Sequence, residues 1–371
     1  RQAGYQTAYI GKSHIKASAD NPKATKDEAL RDHGFDHVNC TGERYMLWKF
    51  LKEGWKIKDS PFIKHLKQRG KYEQWLKDNT GYGNLSTMAE DVDYLDGFTA
   101  QVAIDWLAEG RNAEKPFFLW FNFCLPHGPY DVPQRWYDKV AGLKIPPPKT
   151  DRFGHDVPEP LLKDNKPVKS PESTAKHRLG EAANVAFMDA QIGRLLDALK
   201  ATDQLDNTVV IFFSDHSILL GNHGRLHKGT LFEEALNASM IVSFPKRFPQ
   251  DQINPHPMEL MDLVPTTFEL AGVEEPNKAA KNGFSIVPLL EGKKTNGRTY
   301  AFSEILGAQA ATDARYRYIV SKGTEILYDH KTDPWEMKNV ASECPEVAER
   351  MRKAVTHWMG SSGPVHPPKT Y

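Results

Sequence analysis

Short apolar runs alternate with longer amphipathic segments along most of this chain. Thr7-Ala8-Tyr9-Ile10 predicts a short strand that runs into Gly11-Lys12-Ser13-His14. Phe117–Phe121 is apolar throughout, as expected of a strand in a parallel sheet covered on both faces. Thr208–Phe213 and Ser239–Phe244 predict two more buried strands, the second stopped by Pro245. Between the strands, Val92, Leu95, Phe98, Val102, Trp106 and Leu107 recur at helical spacing and predict a helix over 89–110. Val185, Met188, Ile192, Leu195, Leu196 and Leu199 do the same over 179–200, and Met258–Ala271 predicts a helix closed by Gly272. Strand–helix alternation of this kind predicts an α/β fold with a mainly parallel sheet sandwiched by helices.

The pattern changes near residue 285. Tyr316–Val320 and Glu325–Tyr328 predict short strands joined by the hairpin Ser321-Lys322-Gly323-Thr324, with a helix near 345–359. The chain is therefore divided into an α/β domain over 1–284 and a small antiparallel α+β subdomain over 285–371. Residues 143–176 hold seven prolines and little periodicity, and read as a surface loop or lid. Residues 40–86 are polar and aromatic-rich without a decodable period.

Composition narrows the function classes. The chain has 371 residues, 40% of them hydrophobic, enough for a full core. Its 48 basic and 48 acidic residues cancel, which argues against a nucleic-acid-binding surface. Cys40, Cys124 and Cys344 form no C-x-x-C pair, so neither a zinc ribbon nor a disulfide framework is indicated. The longest apolar run, Phe117–Leu125, falls far below the roughly 20 residues a membrane span needs. No signal peptide is visible; the chain opens at Arg1 close to a strand, and a preceding segment with its targeting signal is expected.

Candidate chemistry collects where strands end. Thr208–Phe213 runs into Asp215-His216, a hard oxygen and a nitrogen able to share a metal dication. A Gly-rich turn and Lys228 follow, a cation that could hold an anion polarised by the same metal. Lys12 and His14 follow the first strand, and His127 follows the strand Phe117–Phe121. Ligands of open parallel sheets bind at the carboxyl edge of the strands, so these groups are expected to converge there. Taken alone, an Asp-His pair after a strand is an ordinary turn; it is the ordered company of the other groups that argues for a site.

These residues resemble the type I sulfatases of the alkaline-phosphatase-like superfamily. Gly4-Tyr5-Gln6-Thr7 through Gly11-Lys12-Ser13-His14 resembles the family's G-Y-x-T-x-x-x-G-K-x-H segment, and Pro126-His127-Gly128-Pro129 its P-H-x-P loop. Ser214-Asp215-His216 with Leu220-Gly221-Asn222-His223-Gly224 and Lys228 resembles its S-D-H-G…G-x-H-G…K block. Met261–Thr266 and Leu327–Pro334 resemble its C-terminal landmarks. The resemblance implies that Asp215 and His216 bind a divalent metal, Ca²⁺ first, with Mn²⁺ or Mg²⁺ as alternatives. It implies that Lys12 and Lys228 hold sulfate oxygens, that His227 faces substrate, that His127 assists the leaving group, and that His14 helps break down a covalent sulfated intermediate. The implied substrate is a small-molecule or saccharide sulfate ester, and the implied location periplasmic or secreted.

Two departures stand out. Ser217 replaces the Gly that usually follows Asp-His, a strained choice if that position needs a positive φ. None of the three cysteines lies in the C/S-x-P-S-R motif that yields formylglycine, and the family's N-terminal Asp-Asp metal pair precedes the G-Y-x-T segment. Both are expected from sequence before Arg1, and a chain starting at Arg1 is expected not to turn over. The alternatives are a phosphonate monoesterase or phosphodiesterase of the same superfamily, and a non-catalytic binding protein derived from a sulfatase.

Overall fold

The computed structural model describes residues 3–15, 26–42, 47, 60–79, 86–149, 156–163, 167–275, 282–293 and 297–361. Much of the 40–86 tract and the middle of the 143–176 tract lie outside these. The chain forms two compact units: Arg1–Pro146 with Ala175–Asp206, and Pro147–Thr174 with Asn207–Tyr371.

The first unit is built on a parallel sheet. Strands β1 (Gln6–Gly11), β2 (His37–Cys40) and β3 (Phe117–Asn122) lie in the order β2-β1-β3. The register pairs Gly11 with Cys40 on one side and Asn122 on the other, so the three strands end together. Helix α1 (Lys26–Asp32) makes the crossover from β1 to β2. The 40–86 tract contains two helices that its mixed composition hid, α2 (Pro61–Gln68) and α3 (Tyr72–Asp78). Phe62, Ile63 and Leu66 on α2 and Trp75 on α3 are buried against Phe98 of α4 (Leu95–Ala108). Helix α5 (Gln134–Val140) adds Val140 to that core, and α6 (Pro171–Ala201) adds Phe187. Helix α6 begins well before residue 179. Pro171 suits the first helical position, and the Ser170 hydroxyl accepts a hydrogen bond from the Ser173 amide at 3.1 Å.

The second unit departs from the sequence reading at its first strands. Strand β4 (Val210–Phe213) pairs antiparallel with β5 (Met240–Ser243) in a two-stranded sheet. Between them lie a short 3₁₀ turn and the four-residue helix α7 (Glu233–Leu236), too little for the crossover a parallel return requires. Nor are these strands fully buried: β4 is half-buried, and Ile241 on β5 is 65% exposed. The predicted helix over 258–271 is a 3₁₀ turn, Leu260–Asp262, followed by α8 (Leu263–Leu270). Helix α9 (Val287–Leu290) follows.

The C-terminal antiparallel sheet has four strands, β6 (Ala301–Ile305), β7 (Ala308–Thr312), β8 (Tyr316–Ser321) and β9 (Thr324–Asp329), in sequence order. Side chains alternate between its faces. Tyr318 and Leu327 pack against Met351 and Val355 of α10 (Pro345–Ser361). Ile319, Ile326 and Tyr328 pack against Leu219, Leu231 and Phe232, which flank the Gly-rich turn. Leu161 of the proline-rich tract is fully buried in the same core, so the described part of that tract is not a loose lid. Among the described residues, no helix is long and apolar enough to cross a membrane.

Candidate functional site

In the first unit the parallel register places two predicted residues together. β1 and β3 approach so closely at their ends that a Cβ on Gly11 would stand 1.9 Å from the Asn122 carbonyl oxygen, and Gly11 has φ +116°. Only glycine meets both demands. The next residue, Lys12, is fixed through its backbone: its amide donates to the Asn122 carbonyl at 3.2 Å, and its own carbonyl accepts from the Tyr9 hydroxyl at 2.5 Å and Asn122 Nδ2 at 3.0 Å. Lys12 and His127 line one pocket with Tyr94, Asp96, Cys124 and Phe187. His127 is exposed, and its Nδ1 lies 2.6 Å from the Gly128 carbonyl. A carbonyl only accepts, so Nδ1 carries the hydrogen and Nε2 is the nitrogen able to exchange a proton. His14 is exposed beyond the end of β1, and does not line this pocket.

Asp96 in the first turn of α4 was not singled out from sequence. It accepts hydrogen bonds from the amides of Cys124 (2.5 Å) and Leu125 (3.3 Å). Burial pushes its carboxyl up to about 6, against the opposing pull of those amides and of Lys12. An acid in a helix's first turn is common enough to carry no signal in a sequence. Cys124 donates its thiol to the Gly42 carbonyl at 3.2 Å and lines the same pocket.

In the second unit Asp215, His216 and Lys228 form a cluster. His216 Nε2 is 3.4 Å from Asp215 Oδ2 and 2.6 Å from Lys228 Nζ. His216 Nδ1 faces the Ser217 carbonyl at 3.0 Å, which puts the hydrogen on Nδ1 and a lone pair on Nε2. This is the tautomer a metal-binding histidine needs, with its other nitrogen held by a backbone carbonyl. The Asp215 side chain is 76% exposed, and the Lys228 ammonium lies against the His216 Nε2 lone pair that a dication would take. The pair therefore fits as two ligands of a divalent cation. His227 is exposed beside Lys228, and its carbonyl accepts from the Leu219 amide at 3.2 Å. Ser217 is not among the positive-φ residues, so it carries no strain in place of glycine; its amide donates to the Ala235 carbonyl at 3.0 Å.

The strain falls further along, where Leu220 (φ +46°) and His223 (φ +53°) are left-handed. Such backbone persists only where its surroundings over-determine it. Here Glu234 does so from α7: it accepts from Asn222 Nδ2 at 2.9 Å and faces His223 Nε2 at 3.2 Å. Burial raises the Glu234 carboxyl, but these two partners outweigh it and hold it below its ordinary value. The turn also grips the proline-rich tract. The Lys149 amide donates to Asn222 Oδ1 at 2.9 Å, the His223 amide to the Lys149 carbonyl at 2.7 Å, and the Val168 amide to the Gly224 carbonyl at 2.9 Å. A Cβ on Gly221 would meet the Thr174 methyl at 2.3 Å.

Glu233, His330 and Glu336 bring three ligand atoms close enough for a metal ion. The cation among them is already Arg317, which reaches Glu233 at 2.6 Å and Glu336 at 2.8 Å. Glu336 is fully buried, and accepts from His330 and from the Glu233 amide at 2.8 Å as well. This is a satisfied ion network, and it anchors α7 to the C-terminal sheet.

Lys12 and His127 thus share a pocket in the first unit, and Asp215, His216 and Lys228 share a cluster in the second.

A parallel sheet ending in Lys12 and His127, with a C-terminal antiparallel sheet, defines an alkaline-phosphatase-like fold. Solved structures agree: a phosphonate monoester hydrolase of Agrobacterium radiobacter superposes with TM-score 0.72 at 20% identity over 97% of this chain and 79% of that one. A structure in complex with its substrate D-glucosamine-2-N,6-O-disulfate gives 0.70 at 19% identity over 100% and 82%. The chain belongs to the sulfatase family, whose profile matches residues 1–273. A profile described as N-sulphoglucosamine sulphohydrolase, C-terminal, matches residues 221–359. A sulfatase of Formosa agariphila is 32% identical over 65% of this chain and 49% of its own length. An arylsulfatase of Clostridium perfringens is 26% identical over 95% and 75%. The chain thus spans about half the length of the Formosa relative.

Proposed function

We propose that the intact protein hydrolyses a sulfate monoester of a small molecule or saccharide. The observation that carries this reading is the pocket shared by Lys12 and His127. A sulfate ester gathers charge on its oxygens and on the departing oxygen as it cleaves, and needs a cation for the one and a proton donor for the other. Lys12 and Lys228 hold sulfate oxygens, and His227 contacts the substrate. His127 Nε2 gives a proton to the leaving oxygen while Gly128 holds its Nδ1–H. His14 takes or returns a proton as the product leaves. Asp215 and His216 bind a divalent cation, Ca²⁺ first, which when bound supplies Lewis-acid polarisation of the ester. A formylglycine of the family's kind would supply the nucleophile, and none of Cys40, Cys124 and Cys344 lies in the motif that yields it. The amino-sugar sulfohydrolase profile over 221–359 supports a saccharide sulfate in particular.

The test uses the full-length protein with p-nitrophenyl sulfate and phenyl p-nitrophenylphosphonate side by side. Faster turnover of the sulfate is expected. Preference for the phosphonate would favour the phosphonate-hydrolase reading, and sulfate binding without turnover of either would favour a binding protein. Metal content measured by mass spectrometry should fall in Asp215→Ala and stay unchanged in Lys12→Ala.

A further inference from the structure

We propose that Asp96 is a positioning residue of the ester pocket, setting the turn that carries His127 while serving as the counter-charge that restrains Lys12. The proposal rests on the pocket assigned above. Asp96 is 5% exposed and lines the same pocket as both groups. Its Oδ1 receives the amides of both Cys124 and Leu125, the residues that lead into Pro126 and His127. A carboxylate accepting two amides fixes both peptide planes more firmly than water could, because charge-assisted bonds are roughly twice as strong as neutral ones. Lys12, just beyond the end of β1, lines the same pocket, and its positive charge pulls the Asp96 carboxyl down against the rise from burial.

The charged and titratable groups facing Asp96 are few. Lys12 comes from beyond β1, Cys124, His127 and Asp131 from the chain after β3, and Tyr94 from beside Asp96 itself; α6 contributes the apolar Phe187. Lys12 is the one permanent cation among these pocket-lining groups. An arriving sulfate oxygen and the Asp96 carboxylate therefore compete for it. When the anion binds, Asp96 is driven toward its protonated form, in which one oxygen still accepts from the backbone amides. Grip on the ester and the charge state of Asp96 are thus linked, while the turn beneath His127 stays held.

The linkage makes the test independent of turnover. Inorganic sulfate is titrated calorimetrically into the full-length protein, its Asp96→Asn and Lys12→Ala variants, and the double variant, at pH 5 and pH 8. Asp96→Asn should bind sulfate about tenfold more tightly at pH 8, the factor that accompanies one pKa unit of coupling. The advantage should shrink at pH 5, where the wild-type carboxyl is itself protonated. In the Lys12→Ala background the substitution should change affinity little. With an aryl sulfate substrate, Asp96→Asn should lower KM with kcat changed much less, since the amide oxygen still accepts from the Cys124 and Leu125 amides. A merely structural acid would not split KM from kcat in this way. Unchanged or weaker sulfate binding in Asp96→Asn at pH 8, or an equal gain without Lys12, overturns the proposal. Should Asp96→Asn fail to fold, wild type and Lys12→Ala decide it. Sulfate affinity should rise more steeply from pH 8 to pH 5 in the wild type, and equal slopes overturn it. Absence of ester hydrolysis would count against the proposed function and leave this titration intact.

Discussion

The two residue clusters are held in place by different means. At the ends of β1 and β3 the positions of Lys12 and His127 follow from strand register, backbone hydrogen bonds, one glycine contact and a single carboxylate, Asp96, under the turn after β3. Around Asp215 and Lys228 the chain is irregular and partly strained, and what holds it is a polar scaffold of side chains, local at Glu234 and distant at Arg317 and Glu336. Glu234 ties down Asn222 and His223, while Glu233 is tied by Arg317 and Glu336 to the C-terminal sheet. A sheet edge can present a functional group with little help. A loop that must present several needs a polar scaffold, and that scaffold concentrates buried charge.

The sharpest challenge to this contrast is Lys228→Ala in the full-length protein. Loss of a cation from developing charge should lower aryl sulfate turnover by about 10²–10³-fold. Sulfate binding should weaken less than turnover, since Lys12 remains; unchanged turnover would remove Lys228 from the proposed site. Next in size is Arg317→Ala, which strands the fully buried Glu336. Urea unfolding should register a loss of about 3–5 kcal/mol, and a loss below 1 kcal/mol would deny the network its scaffolding role.

Glycine substitutions compare the two regions directly. In Gly11→Ala the new methyl meets a strand carbonyl that cannot yield, whereas in Gly221→Ala it meets the Thr174 methyl, a side chain that can. Both positions have positive φ, so both lose stability, and Gly11→Ala should lose more in thermal melts. The reverse order would mean the sheet end is the more pliable of the two.

The smallest effect concerns an acid in the first unit. Burial pushes Glu181 on α6 up to about 7. The native state keeps this proton over a range in which the unfolded chain, with a carboxyl near about 4.3, has released it. Stability therefore falls as pH rises through that window, and the deficit is complete above about 7. Glu181→Gln should raise stability at pH 8 by roughly 2–3 kcal/mol and have little effect at pH 4. Equal melting shifts at both pH values would contradict this.

How much could be read from the sequence divides along the same line. The apolar run Phe117–Phe121 and the alternation around it announced a parallel sheet, and Gly11-Lys12 and Pro126-His127 announced two residues that line one pocket at its edge, because each signal is local. The β4–β5 pair was misread because Val210–Phe213 is as apolar as any buried parallel strand; strand direction depends on what lies between strands, and the segment 214–239 lacks a long helix. Helices α2 and α3 escaped because their buried faces, Phe62, Ile63, Leu66 and Trp75, are short patches in a polar, aromatic tract. Asp96 and Glu234 escaped for a different reason. Their partners are backbone amides and side chains fixed only by the tertiary fold, and an isolated acidic residue looks the same whether it faces solvent or a pocket.

The consecutive carboxylates Glu233 and Glu234 have a consequence for how this protein can vary in length. They sit side by side on a helix of a single turn, and they serve opposite clients: one faces Arg317 and Glu336, the other Asn222 and His223. Inserting one residue within α7, between Glu233 and Glu234, would rotate one acid against the other by about a further 100° and part it from its own neighbours. Chain length in this stretch is thus fixed as strictly as residue identity, while the exposed segment around Ile253 is free to grow or shrink.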